Sequence, residues 1–135
     1  MSGDFSDFLE LEILDNYFGA LDYAAPATLY IGLSTADPTD DNSGLAEPSG
    51  NGYARVSVTN NKTSWTAASA GALANDIDFT FPEATGSWGT VTHFIIADAA
   101  SAGNMLAHGD LTTSKAIGDG DTAKFKSGDL DISLD

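Results

Sequence analysis

The stretch Ile77-Asp78-Phe79-Thr80-Phe81-Pro82-Glu83-Ala84-Thr85-Gly86-Ser87-Trp88-Gly89-Thr90-Val91-Thr92-His93-Phe94-Ile95-Ile96-Ala97-Asp98 decides the fold. Asp76 to Phe81 alternates polar and apolar residues and stops at Pro82, which reads as a strand. Val91 to Ala97 is a nearly continuous apolar run, the pattern of a central strand buried on both faces. A tight Pro/Gly corner joins the two and carries Trp88. The arrangement is architectural, not catalytic.

Outward from this centre the same grammar repeats. Thr28 to Ser34 reads as a strand with Leu29, Ile31 and Leu33 on one face and Tyr30 on the other. Tyr53 to Thr59 reads as a second, with Ala54, Val56 and Val58 opposite Tyr53, Arg55 and Ser57. Trp65 opens a run of small residues, Thr66 to Ala74, for which an irregular or extended path is expected. Met105 to Leu111, Ala123 to Phe125 and Leu130 to Leu134 complete the strands, with turns at Asn60-Asn61, Gly103-Asn104 and Asp119-Gly120-Asp121. No βαβ alternation and no internal repeat is present. The pattern predicts a mainly β protein: an antiparallel β-sandwich or jelly-roll-like domain behind one N-terminal α-helix.

That helix is expected over Asp4 to Phe18, where Phe5, Phe8, Leu9, Leu11, Ile13, Leu14, Tyr17 and Phe18 form a broad apolar stripe. Ser6 is the expected N-cap, Asp7 and Glu10 suit the positive end of the helix dipole, and Gly19 is the expected stop. The segment holds five acids and no base, so no i,i+4 ion pair supports it, and alone it is marginal. It must dock on its own β-domain or on a neighbour. The expected division is 1–22 for the helix, with an anchoring or oligomer-contact role, and 23–135 for the β-sandwich. Phe5, Phe8, Leu9, Leu14 and Phe18 are the candidate interface residues.

The 135 residues suit one domain with a real core. There is no cysteine, so neither a disulfide nor a thiolate metal site is possible. Twenty acidic against five basic residues give a net charge of −15, which repels phosphate backbones and anionic bilayers. Neither nucleic acid nor membrane is an expected partner. No apolar stretch has the roughly 18 residues of a membrane helix. Met1-Ser2-Gly3-Asp4 does not begin a basic and then apolar leader, so no signal peptide is expected.

Motifs for chemistry are missing. His93 and His108 are the two histidines, with Asp98 and Asp110 near in sequence, but no spaced His set appears, and His93 is read as a structural strand residue. No serine sits in G-x-S-x-G. Gly118-Asp119-Gly120-Asp121 lacks a following lysine, and its carboxylates oppose a phosphate, so it is read as a turn. Asp37, Asp40, Asp41 and Asn42 lie in a loop, 36–52, too long for a plain connection; their spacing departs from an EF-hand, and whether the loop binds a cation stays open. No cofactor and no metal is expected. Trp65, Trp88, Tyr23, Tyr30 and Tyr53 suit a core or interface better than a sugar-stacking surface. Arg55, the one arginine, is expected to form a bidentate carboxylate pair within or between chains. Arg55, Trp88 and His93 are the candidate structural residues.

Certain residues carry a family resemblance over nearly the whole chain. They are Pro26-Ala27-Thr28-Leu29-Tyr30-Ile31-Gly32-Leu33-Ser34, Gly52-Tyr53-Ala54-Arg55, Phe79-Thr80-Phe81-Pro82, Trp88-Gly89-Thr90-Val91-Thr92-His93-Phe94, Asn104-Met105-Leu106 and Gly109-Asp110-Leu111. The chain resembles small virion proteins of tailed bacteriophages, usually labelled phage tail fibre proteins. The resemblance implies a non-enzymatic structural component of the virion, on the tail or as a capsid decoration, in multiple copies. It implies a homo-oligomer, a trimer by analogy, in contact with other virion proteins. It brings no catalytic residue. A host-recognising carbohydrate-binding β-sandwich module is the alternative expectation.

Overall fold

The computed structural model describes residues 1–134. Asp135, the last residue of the expected 23–135 unit, lies outside them. Nine strands and one helix follow in order: β1 Ser2–Phe5, α1 Asp7–Gly19, β2 Thr28–Ser34, β3 Val56–Thr59, β4 Ala72–Ala74, β5 Phe79–Thr80, β6 Gly89–Ala97, β7 Met105–Ile117, β8 Lys124–Phe125 and β9 Asp131–Ser133. Seven strands form one curled sheet in the order β3-β2-β6-β7-β1-β9-β4, and β5 and β8 pair as a second, small layer. The fold is a mainly β sandwich with an N-terminal helix. Its main sheet is mixed, because β1 runs parallel to β9 while the other described pairs are antiparallel.

The apolar run Val91 to Ala97 forms the centre of the sheet, flanked by β2 and β7. Both of its faces are covered, and Val91, Phe94, Ile95, Ile96 and Ala97 are buried. One row crosses six strands through Leu33, Phe94, Gly109, Gly3, Ile132 and Leu73. Over it lies an aromatic layer. Phe94 meets Phe125 edge-on at 6.0 Å, and Trp65 meets Phe79 at 5.4 Å. Such edge-to-face pairs add about 0.5–1.5 kcal/mol beyond burial.

At two positions in that row any side chain would collide with its neighbours. A Cβ on Gly3 would lie 2.6 Å from the Phe94 ring, and one on Gly109 would lie 2.5 Å from the Ser2 carbonyl oxygen and 2.8 Å from the same ring. The β1–β7 crossing is thus the bed on which Phe94 rests.

Asn75 locks the second layer to the first. It is fully buried, its amide donates to the Ile77 and Lys126 carbonyls at 2.8 and 2.9 Å, and its carbonyl oxygen accepts from the Leu130 N–H at 2.9 Å. The corner after β5 is held by Trp88, whose Nε1 donates to the Asn51 carbonyl at 2.8 Å.

Candidate functional site

Ser6 is the N-cap of α1: its Oγ accepts from the Leu9 N–H at 3.2 Å and itself donates to the Met105 carbonyl on β7. This bond pins the helix start to the sheet. The helix begins at Asp7 and not Asp4, because Ser2–Phe5 is taken into the sheet as β1. It also runs through the expected stop at Gly19. The left-handed cap is Ala20, at φ 55°, and the cap N–H and the Leu21 N–H both bond the Asp15 carbonyl.

The apolar residues of α1 fall on more than one side. Phe8 and Leu9 pack against the core of their own chain, and Phe8 meets Tyr23 edge-on at 6.1 Å. Ile13, four residues after Leu9, shares that inner face. Leu11, Leu14 and Phe18, spaced i, i+3 and i+7, form a second stripe that faces solvent, at 63%, 54% and 87% exposure. Tyr17 and Leu21 border it and are exposed too. Of the five candidate interface residues, Phe8 and Leu9 therefore lie half-buried on the body, Phe5 ends β1 half-buried, and Leu14 and Phe18 stand outside.

The long loop after β2 is folded down onto the sheet. The Thr35 N–H bonds the Ala46 carbonyl, and the Gly44 N–H bonds the Pro38 carbonyl, each at 2.9 Å. Arg55 takes its carboxylate from this loop within the chain. Its Nε lies 3.0 Å from Glu47 Oε2, its Nη2 bonds Glu47 Oε1, and its Nη1 donates to the Ala99 and Ala102 carbonyls at 2.7 and 3.0 Å. Burial opposes the guanidinium charge, but the Glu47 hydrogen bonds and charge outweigh it and raise the pKa. Tyr53 joins the network: its hydroxyl donates to Glu47 at 2.6 Å and accepts from the Leu33 N–H at 3.0 Å. Burial, then the Glu47 bond, pushes this phenol above its usual range.

The histidines are not gathered together. His93 Nε2 lies 2.7 Å from Asp110, with Asp37 at 4.0 Å, while His108 Nε2 meets Asp40 at 2.8 Å. Asp98 instead closes the Asp98–Asn104 turn through the Asn104 N–H at 2.7 Å. In the acidic loop, Asp41 accepts from Thr39 and Ser43, whose hydrogen bonds lower its pKa to about 2. Among the described residues no group of three or more His, Asp or Glu side chains is placed to hold a metal ion. Trp65 and Trp88 are 5% and 3% exposed, so neither ring is available for stacking on a sugar.

A family model described as "Podophage GP4 fiber I protein gp80" matches residues 4–133. The chain belongs to this podophage fiber I family. The match runs from within β1 to the end of β9, so the fiber family covers the sandwich and the helix alike. A member of this fiber family is a bacteriophage structural protein, located in the virion and associated with it. No curated protein matches the chain.

The inner and outer faces of α1 were not separable from the sequence, because Phe8, Leu9, Leu11, Ile13, Leu14, Tyr17 and Phe18 point in several directions round the helix and leave the period without a single one. The loop contacts of Glu47 and the β1 strand carried no local signal at all.

Proposed function

We propose that this protein is a non-enzymatic fibre component of the podophage particle, assembled in multiple copies, in which α1 is the attachment element. Between a tail fibre and a capsid decoration, the family's description as a fiber protein supports the fibre. Three copies around one axis is the arrangement we favour. The observation that carries the reading is the outer stripe Leu11, Leu14 and Phe18. It sits on a helix that is already capped, docked and pinned at Ser6, so its exposure is not a sign of a loose segment. A contiguous apolar patch on a chain of charge −15 marks a contact surface.

Particles carrying the double substitution Leu14→Asp and Phe18→Asp test this. The isolated variant should keep the fold by circular dichroism, because both side chains are exposed, and should be missing from purified particles. Normal incorporation of the folded variant would refute the attachment role.

A further inference from the structure

We propose that the outer stripe of α1 seats in an apolar groove on a second copy of this chain. This rests on the attachment reading above and adds to it the place where the helix lands. The groove has a volume of about 450 Å³. It is lined by the apolar Leu29, Ile96, Leu73 and Ile132 together with Tyr23, Pro26, Lys62 and Trp65.

Geometry excludes the helix of the same copy. Leu9 lines the groove from the inner face of α1, so the outer stripe points away from its own groove. Size fits a specific contact. Tyr17 and Phe18 together expose on the order of 300–400 Å², and Leu11, Leu14 and Leu21 add to this. One side of a standard interface buries about 800 Å².

Charge selects the groove over helix pairing. Asp7, Glu10, Glu12 and Asp15 ride on α1 with no base, so two stripes laid together would oppose carboxylates to carboxylates. The groove rim offers Lys62, exposed and, among the described residues, bonded to the Thr66 carbonyl alone, beside neutral Asn60 and Asn61. Knob and groove are different patches, so copies associate head to tail, and a ring closes where the rotation allows.

Two exposed substitutions separate the halves of this contact. Phe18→Glu spoils the knob and leaves the groove; Ala25→Glu puts a carboxylate in the groove lining and leaves the knob. Sedimentation should find the unaltered protein as a closed oligomer and each folded variant as a monomer, with affinity lowered at least about 30-fold. An equimolar mixture should form a heterodimer and nothing larger, because one good knob and one good groove remain. Lys62→Glu should weaken assembly roughly two- to five-fold. Phe18→Ala with Asn61→Glu repeats the mixing experiment should either first variant fail to fold. A mixture that stays monomeric, or an Ala25→Glu variant that assembles normally, overturns the inference. A monomeric unaltered protein also overturns it. If that monomer still needs Phe18 to enter particles, the attachment reading survives with another virion protein as the occupant.

Discussion

Arg55 and Glu47 form a bidentate ion pair inside one chain, and the guanidinium is almost wholly covered. The same arginine holds the Ala99 and Ala102 carbonyls, so one side chain ties the loop after β2 to the turn before β7. Gly32 makes room for this: a Cβ there would lie 3.0 Å from the Tyr53 hydroxyl and 3.1 Å from Glu47 Oε2.

Removing Arg55 leaves the part-exposed Glu47 carboxylate without its counter-charge and the Ala99 and Ala102 carbonyls without this donor. Arg55→Ala should therefore cost about 1.5–3 kcal/mol in urea unfolding. Arg55→Lys should also destabilise the protein, because one ammonium cannot reproduce the planar fork that reaches both Glu47 oxygens and two carbonyls. A Lys variant as stable as the unaltered protein would remove the bidentate geometry from the account.

The Tyr53 phenol is held above its unfolded value of 10.0, mainly by burial and then by Glu47. The folded state thus binds this proton more tightly than the unfolded chain. Its contribution is fully present below pH 10 and is lost as the pH rises further. Thermal melts between pH 9 and 11.5 should show a falling Tm, and Tyr53→Phe should reduce that slope. Equal slopes for both proteins would rule out the linkage.

Asp41 moves in the opposite sense. Thr39 and Ser43 hold its pKa near 2, below its unfolded value of 3.8. Its contribution to the loop is present above pH 3.8 and is lost as the pH falls through about 2. Amide exchange at Ser43, whose N–H bonds Asp41 at 2.9 Å, should quicken over that range. Asp41→Asn should show a smaller change, and an identical acid profile would contradict the assignment.

Gly109→Ala should cost about 1–3 kcal/mol, since the new methyl overlaps the Ser2 carbonyl and the Phe94 ring. Calorimetry should show this as a lowered Tm with no change of fold. An unchanged Tm would mean that β1 does not bear on Phe94 as described.

Local patterning was legible where one face or both were apolar. Thr28–Ser34 was read at its observed bounds, the Val91–Ala97 run lies within β6, and Ser6 was identifiable as the cap. β1 was not legible: Ser2-Gly3-Asp4-Phe5 has no strand propensity, and its pairing depends on distant β7 and β9. β7 runs on to Ile117 through Thr112-Thr113-Ser114-Lys115, a polar edge whose pairing with β6 is decided by the partner strand. β5 is shorter than the expected Asp76–Phe81, because Asn75 diverts the chain to bond the segment before β9. The stripe on α1 was legible as apolar, but the groove was not. Its walls come from residues 5 to 132, and no local period reports such a meeting.

Hydroxyl-radical footprinting of Tyr17 and Phe18, in intact particles and in isolated protein held monomeric by dilution, tests the central claim most directly. The account predicts strong labelling of both rings in the monomer and strong protection in the particle, with the buried Trp88 labelled weakly in each. Equal labelling of Tyr17 and Phe18 in the two states would contradict it.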